Sequence, residues 1–160
     1  MILGMDLATF TLVHVVLSLI GIATGLASIL GLTGNRLYRG MTAVFLATTV
    51  LTSVTGFLFP FKGMTPGIIL GILSTIALLT ASIALYAVHL AGAWRATYVV
   101  SASLALYFNV FVLFAQLFGK VPALKVIAPT QASPAFGITQ LVVLVGFIVL
   151  TRRAVKAFRG

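Results

Sequence analysis

Acidic residues are almost missing from this chain: Asp6 is the only one among its 160 residues. Hydrolysis by paired carboxylates is therefore excluded within the chain, and so are carboxylate-rich Ca²⁺ or Mg²⁺ cages. Cysteine is absent altogether, which removes disulfides, thiolate metal sites and a Cys nucleophile. Charge of either sign is scarce at 7%, against about 25% in a soluble domain. No glycine-rich phosphate loop of the GxxxxGK[ST] or GxGxxG kind follows a strand, so nucleotide binding has no support. Ser18 stands one helical turn from His14, but no nearby carboxylate is assured to orient the imidazole as a hydrolytic triad requires.

What is present is apolar, 61% of the residues. No water-exposed surface can be made from so few charges, so the chain reads as an integral membrane protein whose backbone groups must be satisfied within helices. A bilayer core about 30 Å thick needs roughly 20 apolar residues per helix. Five segments meet that length, at 8–32, 38–60, 66–92, 96–118 and 134–150. The expected fold is an all-α bundle of five transmembrane helices in one domain spanning 1–160. The last segment is the shortest, which leaves four spans as the alternative count. The first ten residues hold Asp6 and no Lys or Arg, so the N-terminus reads as the head of a span and not as a cleaved signal peptide.

The breaks have chemical causes. "GLTGNRLYRG" suits a tight turn in water, and "PFKGMTP" sets Pro60 and Pro66 around Lys62. "GKVPALKVIAPTQASP" has three prolines and cannot be one regular helix. The loop 119–133 is nonetheless apolar enough to lie on a membrane surface or fold back onto the bundle.

The net charge of +9 first suggests nucleic acid, but the cations sit at the ends of apolar runs and line no hydrophilic face. They read as topology signals and as contacts with a lipid bilayer carrying anionic headgroups. Lys62, Lys120 and Lys125 fall on the side of the N-terminus. Arg36, Arg39, Arg95, Arg152, Arg153, Lys156 and Arg159 fall on the other side. The positive-inside rule then places the N-terminus outside and the C-terminus in the cytoplasm, in a cytoplasmic (inner) membrane. "LYAVHLAGAWRATYVV" becomes mainly a boundary, with Trp94 and Arg95 at the interface.

Stripes of small and polar residues mark the helix faces. His14, Ser18, Gly21, Gly25 and Ser28 step by four and three along span 1, a spacing that keeps one face and lets backbones approach. Gly67, Gly71, Ser74, Leu78, Ser82, Leu85 and His89 do the same in span 3, which places His89 just inside the bundle. Thr48, Thr49, Thr52, Ser53 and Thr55 enrich span 2, and Thr hydroxyls in lipid commonly bond their own backbone. With the orientation above, His14, Thr52, Asn109, Gln116, Gln131 and Gln140 all fall in the outer half, where they can converge on a polar-lined pocket. Polar groups at that depth are candidates for function.

The order of a His near the head of span 1 ("LVHVVLSLIG"), a basic-aromatic hairpin ("NRLYRG"), an apolar Ser/Gly span ("LTSVTGF") and a basic turn ("GAWRATYVV") loosely resembles a family of uncharacterised bacterial multi-pass membrane proteins. The likeness covers about Leu12 to Phe118. Those proteins look distantly like small b-type membrane cytochromes, which usually carry a hairpin histidine where Tyr38 and Arg39 stand here. The sequence names no cofactor; its intramembrane histidines raise haem b, with His14 and His89 as the haem candidates, and a quinone is the other group considered. By position the two histidines fall near opposite ends of the bundle and cannot share one iron.

The expected function is that of a small multi-pass protein without catalytic machinery. It would bind an apolar ligand or lipid in an outward-facing cavity, serve as an accessory subunit of a larger membrane complex, or both. A haem- or quinone-binding redox subunit is one alternative. An oligomeric small-solute transporter or channel is the other, for which a homo-oligomer would be needed.

Overall fold

The computed structural model describes residues 1–60 and 63–160; Lys62, one of the cations assigned to the N-terminal side, lies outside the described residues. Among these residues there are helices and no strand beyond a single backbone bridge between Ile2 and Met5. Five helices are long and apolar enough to cross a membrane. They are α1 (Leu7–Thr33), α2 (Arg39–Phe57), α3 (Pro66–Ser82, prolonged by one wide π turn over Ile83–Ala87), α4 (Trp94–Lys120) and, after the short α5 (Pro122–Ile127), α6 (Pro134–Ala157).

Each boundary follows from local chemistry. Asp6 caps α1: its carboxylate accepts from the Thr9 amide at 2.6 Å. That bond holds the Asp6 carboxyl below its ordinary 3.8, because the charged form is the better acceptor. The sole acidic side chain is thus occupied as a helix cap. At the other end of α1 the Gly34 amide turns back to Gly31 O and Leu32 O, and Asn35 takes φ +57°. Pro66, Pro122 and Pro134 each stand in the first turn of a helix, where the missing N–H would have had no partner. The apolar run of 119–133 therefore breaks into the end of α4, the six-residue α5 and a turn, with Val126 and Ile127 largely exposed.

Three boundaries differ by three residues or more from those expected. The last span was placed at 134–150, but its helix continues through the basic end to Ala157. Span 2 was to reach Pro60 but stops at Phe57. Span 3 was to reach Gly92, with His89 buried on its stripe. The helix ends instead at Ala87, and His89, Leu90 and Gly92 adopt φ of +53°, +59° and +54°. A left-handed run cannot continue a right-handed helix, so His89 is exposed in a tight turn.

The helices run alternately up and down. α1 packs along α2, α2 on α3, α3 on α4, and α4 returns to α1; α6 lies in the groove between α1 and α4. The turn holding Arg36 and Arg39, the turn before Arg95 and the end of α6 share one end of the bundle, here the arginine end. The N-terminus, Lys120 and Lys125 share the other, the lysine end. α4 is the most enclosed span, with half of its apolar window buried; α6 is the least, with 11%. Ile29, Leu32, Phe45, Ala84, Tyr98 and Ala154 expose no surface, so the tightest packing lies toward the arginine end. Against lipid such packing acts through van der Waals contact, since lipid tails are as apolar as the side chains.

Candidate functional site

Three polar contacts between helices occupy the half of the bundle nearer the lysine end. On α1, His14 Nδ1 lies 2.8 Å from Thr55 Oγ1 of α2. Thr55 donates its own proton to Leu51 O at 2.7 Å, so the hydroxyl accepts from His14 and the Nδ1–H tautomer is the one that fits. The ring meets Phe59 edge to face at 5.3 Å. One turn on, Ser18 donates to Asn109 Oδ1 at 2.7 Å, and Asn109 Nδ2 returns a bond to Ser18 O at 3.4 Å. On α6, Gln140 Nε2 donates to Phe111 O of α4 at 3.1 Å.

The structure thus distributes the expected pocket residues among three helix interfaces. His14 faces α2, Asn109 faces α1, and Gln140 faces α4. Thr52 spends its hydroxyl on Thr48 O at 2.8 Å, and Gln116 and Gln131 are exposed. The hydroxyls of Thr48, Thr49 and Thr55 likewise bond carbonyls one turn back, as short polar side chains in apolar helices tend to do. Replacing Asn109 by leucine is expected to weaken the α1–α4 contact by about 0.6–2 kcal/mol, read as a lower melting temperature in detergent. An unchanged melt would mean that the Ser18–Asn109 pair holds nothing together.

The small-residue stripe of α1 is a close-packing surface. A Cβ at Gly21 would fall 2.9 Å from Thr49 Oγ1, and one at Gly25 would fall 2.7 Å from the Phe45 ring. Ser28 is buried beside them. On α3, Ser74 is buried and a Cβ at Gly71 would lie 3.1 Å from the Phe57 ring. Gly67 is exposed, with only Thr65 nearby. Phe57 is the last residue of α2, so one turn further out Gly67 has no helix to pack against. The sequence reading missed the small face of α4, where Ser101, Ala102, Ser103 and Ala105 are all buried. The string "SASLA" held that signal.

The two histidines lie at opposite ends of the bundle, and among the described residues no three His, Cys, Asp or Glu side chains group as a metal site. At the arginine end, Arg36, Arg39, Arg152 and Arg153 are exposed. Arg95 instead reaches the C-terminal segment, where its guanidinium donates to Arg159 O while Arg159 N donates to Asn35 Oδ1 at 2.8 Å. Phe158 beside it is buried. Between α4 and the end of α6, Arg95, Lys156 and Arg159 line a pocket of about 270 Å³. On the neighbouring flank of α4, an apolar groove of about 590 Å³ runs between α3 and α4, from Ala96 to Phe108. Comparison with protein families, curated proteins and solved structures finds no match for this chain.

Proposed function

We propose that the chain is a non-catalytic, multi-pass protein of a cytoplasmic membrane, with its N-terminus outside and its C-terminus inside, that works by holding an apolar or amphiphilic molecule against its helices. One observation carries this reading. His14, Ser18, Asn109 and Gln140 bond neighbouring helices and Thr52 bonds its own backbone, while an apolar groove of about 590 Å³ lies open to the surroundings of the bundle. The gathering of arginines at one end supports the orientation.

Service as an accessory subunit is favoured by a separate feature. α6 leaves Leu141, Val142, Val145 and Val149 exposed, a strip that a neighbouring membrane helix could cover. Haem or quinone redox chemistry has less support, since His14 is engaged with Thr55 and His89 sits in a turn at the far end. A transport pathway would need a homo-oligomer, because five spans are few to enclose one.

Purification in mild detergent, followed by native mass spectrometry and an absorption spectrum, tests the reading. The expected result is retained lipid or another small apolar molecule and no Soret band. A Soret band at one haem per chain would overturn it, as would a chain that leaves the membrane with nothing bound. Reporter fusions at the two termini check the orientation.

A further inference from the structure

The basic pocket and the apolar groove meet at one residue. Ala96, in the first turn of α4, lines both. Its methyl side chain is exposed and forms a low saddle between them. On one side lie Arg95, Lys156 and Arg159, and the pocket they line includes no acidic side chain. On the other side the groove descends along Val100, Leu104 and Phe108 of α4, walled by α3.

We infer that this joined surface is a binding site for one anionic membrane phospholipid, its phosphate among the three cations and an acyl chain in the groove. Four observations point the same way. Three cations around one pocket repel one another, and an anion between them offsets that repulsion. The N-terminus of α4 opens beside the pocket without a side-chain cap, so the positive end of the helix dipole adds to the attraction. From Ala96 to Phe108 the groove is about 18 Å long at 1.5 Å per residue, roughly the depth of one leaflet in a core about 30 Å thick. Trp94, the only tryptophan, stands beside Arg95, the level at which tryptophan marks the headgroup region. A free phosphate would fit the cations alone; the continuous groove below them selects an amphiphile.

The site deepens the binding function proposed above and rests on it. The test uses the full chain in nanodiscs of equal parts phosphatidylglycerol and phosphatidylcholine with identical acyl chains, released for native mass spectrometry. The expected result is one tightly retained phosphatidylglycerol, favoured about tenfold or more over phosphatidylcholine. The double variant Lys156→Gln, Arg159→Gln should remove that preference. It keeps Arg95 and its bond to the Arg159 carbonyl, so the C-terminal segment stays latched. Ala96→Phe should cut retention of both lipids about tenfold by filling the saddle, at an exposed position whose change leaves the melting temperature unaltered. Millimolar inorganic phosphate should displace nothing. Equal retention of the two lipids, or an unchanged preference in the double variant, overturns the site while leaving a general lipid-binding function standing. Displacement by phosphate overturns the lipid in favour of a free anion. No retained lipid under any condition overturns the site and the proposed function together.

Discussion

Gly25→Leu is expected to destabilise the bundle by about 3 kcal/mol or more, at the upper end of what overpacking does to a filled interior. The first added carbon alone would fall 2.7 Å from Phe45 Cδ2 and 2.8 Å from Leu106 Cδ1. Neither neighbour has room to give, since both are fully buried in the same cluster. The conflict can be relieved only by moving α1 away from α2 and α4, which also stretches the Ser18–Asn109 bonds two turns away. Gly146→Ala is the matched control, because a Cβ there meets nothing within 4 Å. It should be neutral or slightly stabilising, as alanine outranks glycine in a helix. Thermal unfolding of both variants in the same detergent decides the matter. A Gly25→Leu protein that melts like the parent would show that α1 does not pack at this distance.

Truncating Tyr98 should cost about as much: Tyr98→Ala is expected to lose roughly 3–5 kcal/mol, the range for emptying a large aromatic site in a core. Tyr98 is the largest of the side chains with no exposed surface, and it sits where α4 meets the rest of the core. The phenolic hydroxyl contributes little of this. It faces the Thr42 hydroxyl of α2, yet neither oxygen has the geometry of a formed hydrogen bond. Tyr98→Phe should therefore shift stability by less than about 1 kcal/mol, since no made bond is lost. A large loss in the phenylalanine variant would show that the two hydroxyls do bond across the α2–α4 contact. A small loss in the alanine variant would show that the core at the arginine end collapses around the gap.

Much of the architecture could be read directly from the residues. Apolar run length specifies five helices, because a segment that must satisfy its own backbone in lipid has few alternatives to a helix. The starts were the clearest boundaries: Pro66 and Pro134 open α3 and α6 where the sequence placed them. The ends were less clear. Little in "LYAVHLAGAW" announces that His89 and Leu90 take left-handed conformations: histidine adopts them more readily than most residues, but leucine does not favour them. Span 3 was consequently extended too far, and His89 was placed inside the bundle. The face of α1 was legible in the four-three steps of Ser18, Gly21, Gly25 and Ser28, which keep one side of the helix at any rotation.

The candidate site was much less legible. Depth in the membrane follows from position along a helix, so sequence can place His14, Asn109 and Gln140 at similar levels. Whether they meet depends on how each helix is rotated about its axis and which helix lies beside it. That depends on packing among all five helices. The same packing sets α4 at the centre and α6 at the margin, a distinction that their similar hydropathy does not reveal. It brings Arg95 to Lys156 and Arg159 across some sixty positions of chain. By itself the sequence determined a basic, nearly acid-free, all-helical chain of five apolar segments with its arginines gathered at one end. Only the tertiary structure decided that the polar residues bond in separate pairs, and that a cationic pocket and an apolar groove meet at Ala96. Composition and periodicity act along one chain, whereas a site is made of distances between segments that only packing brings together.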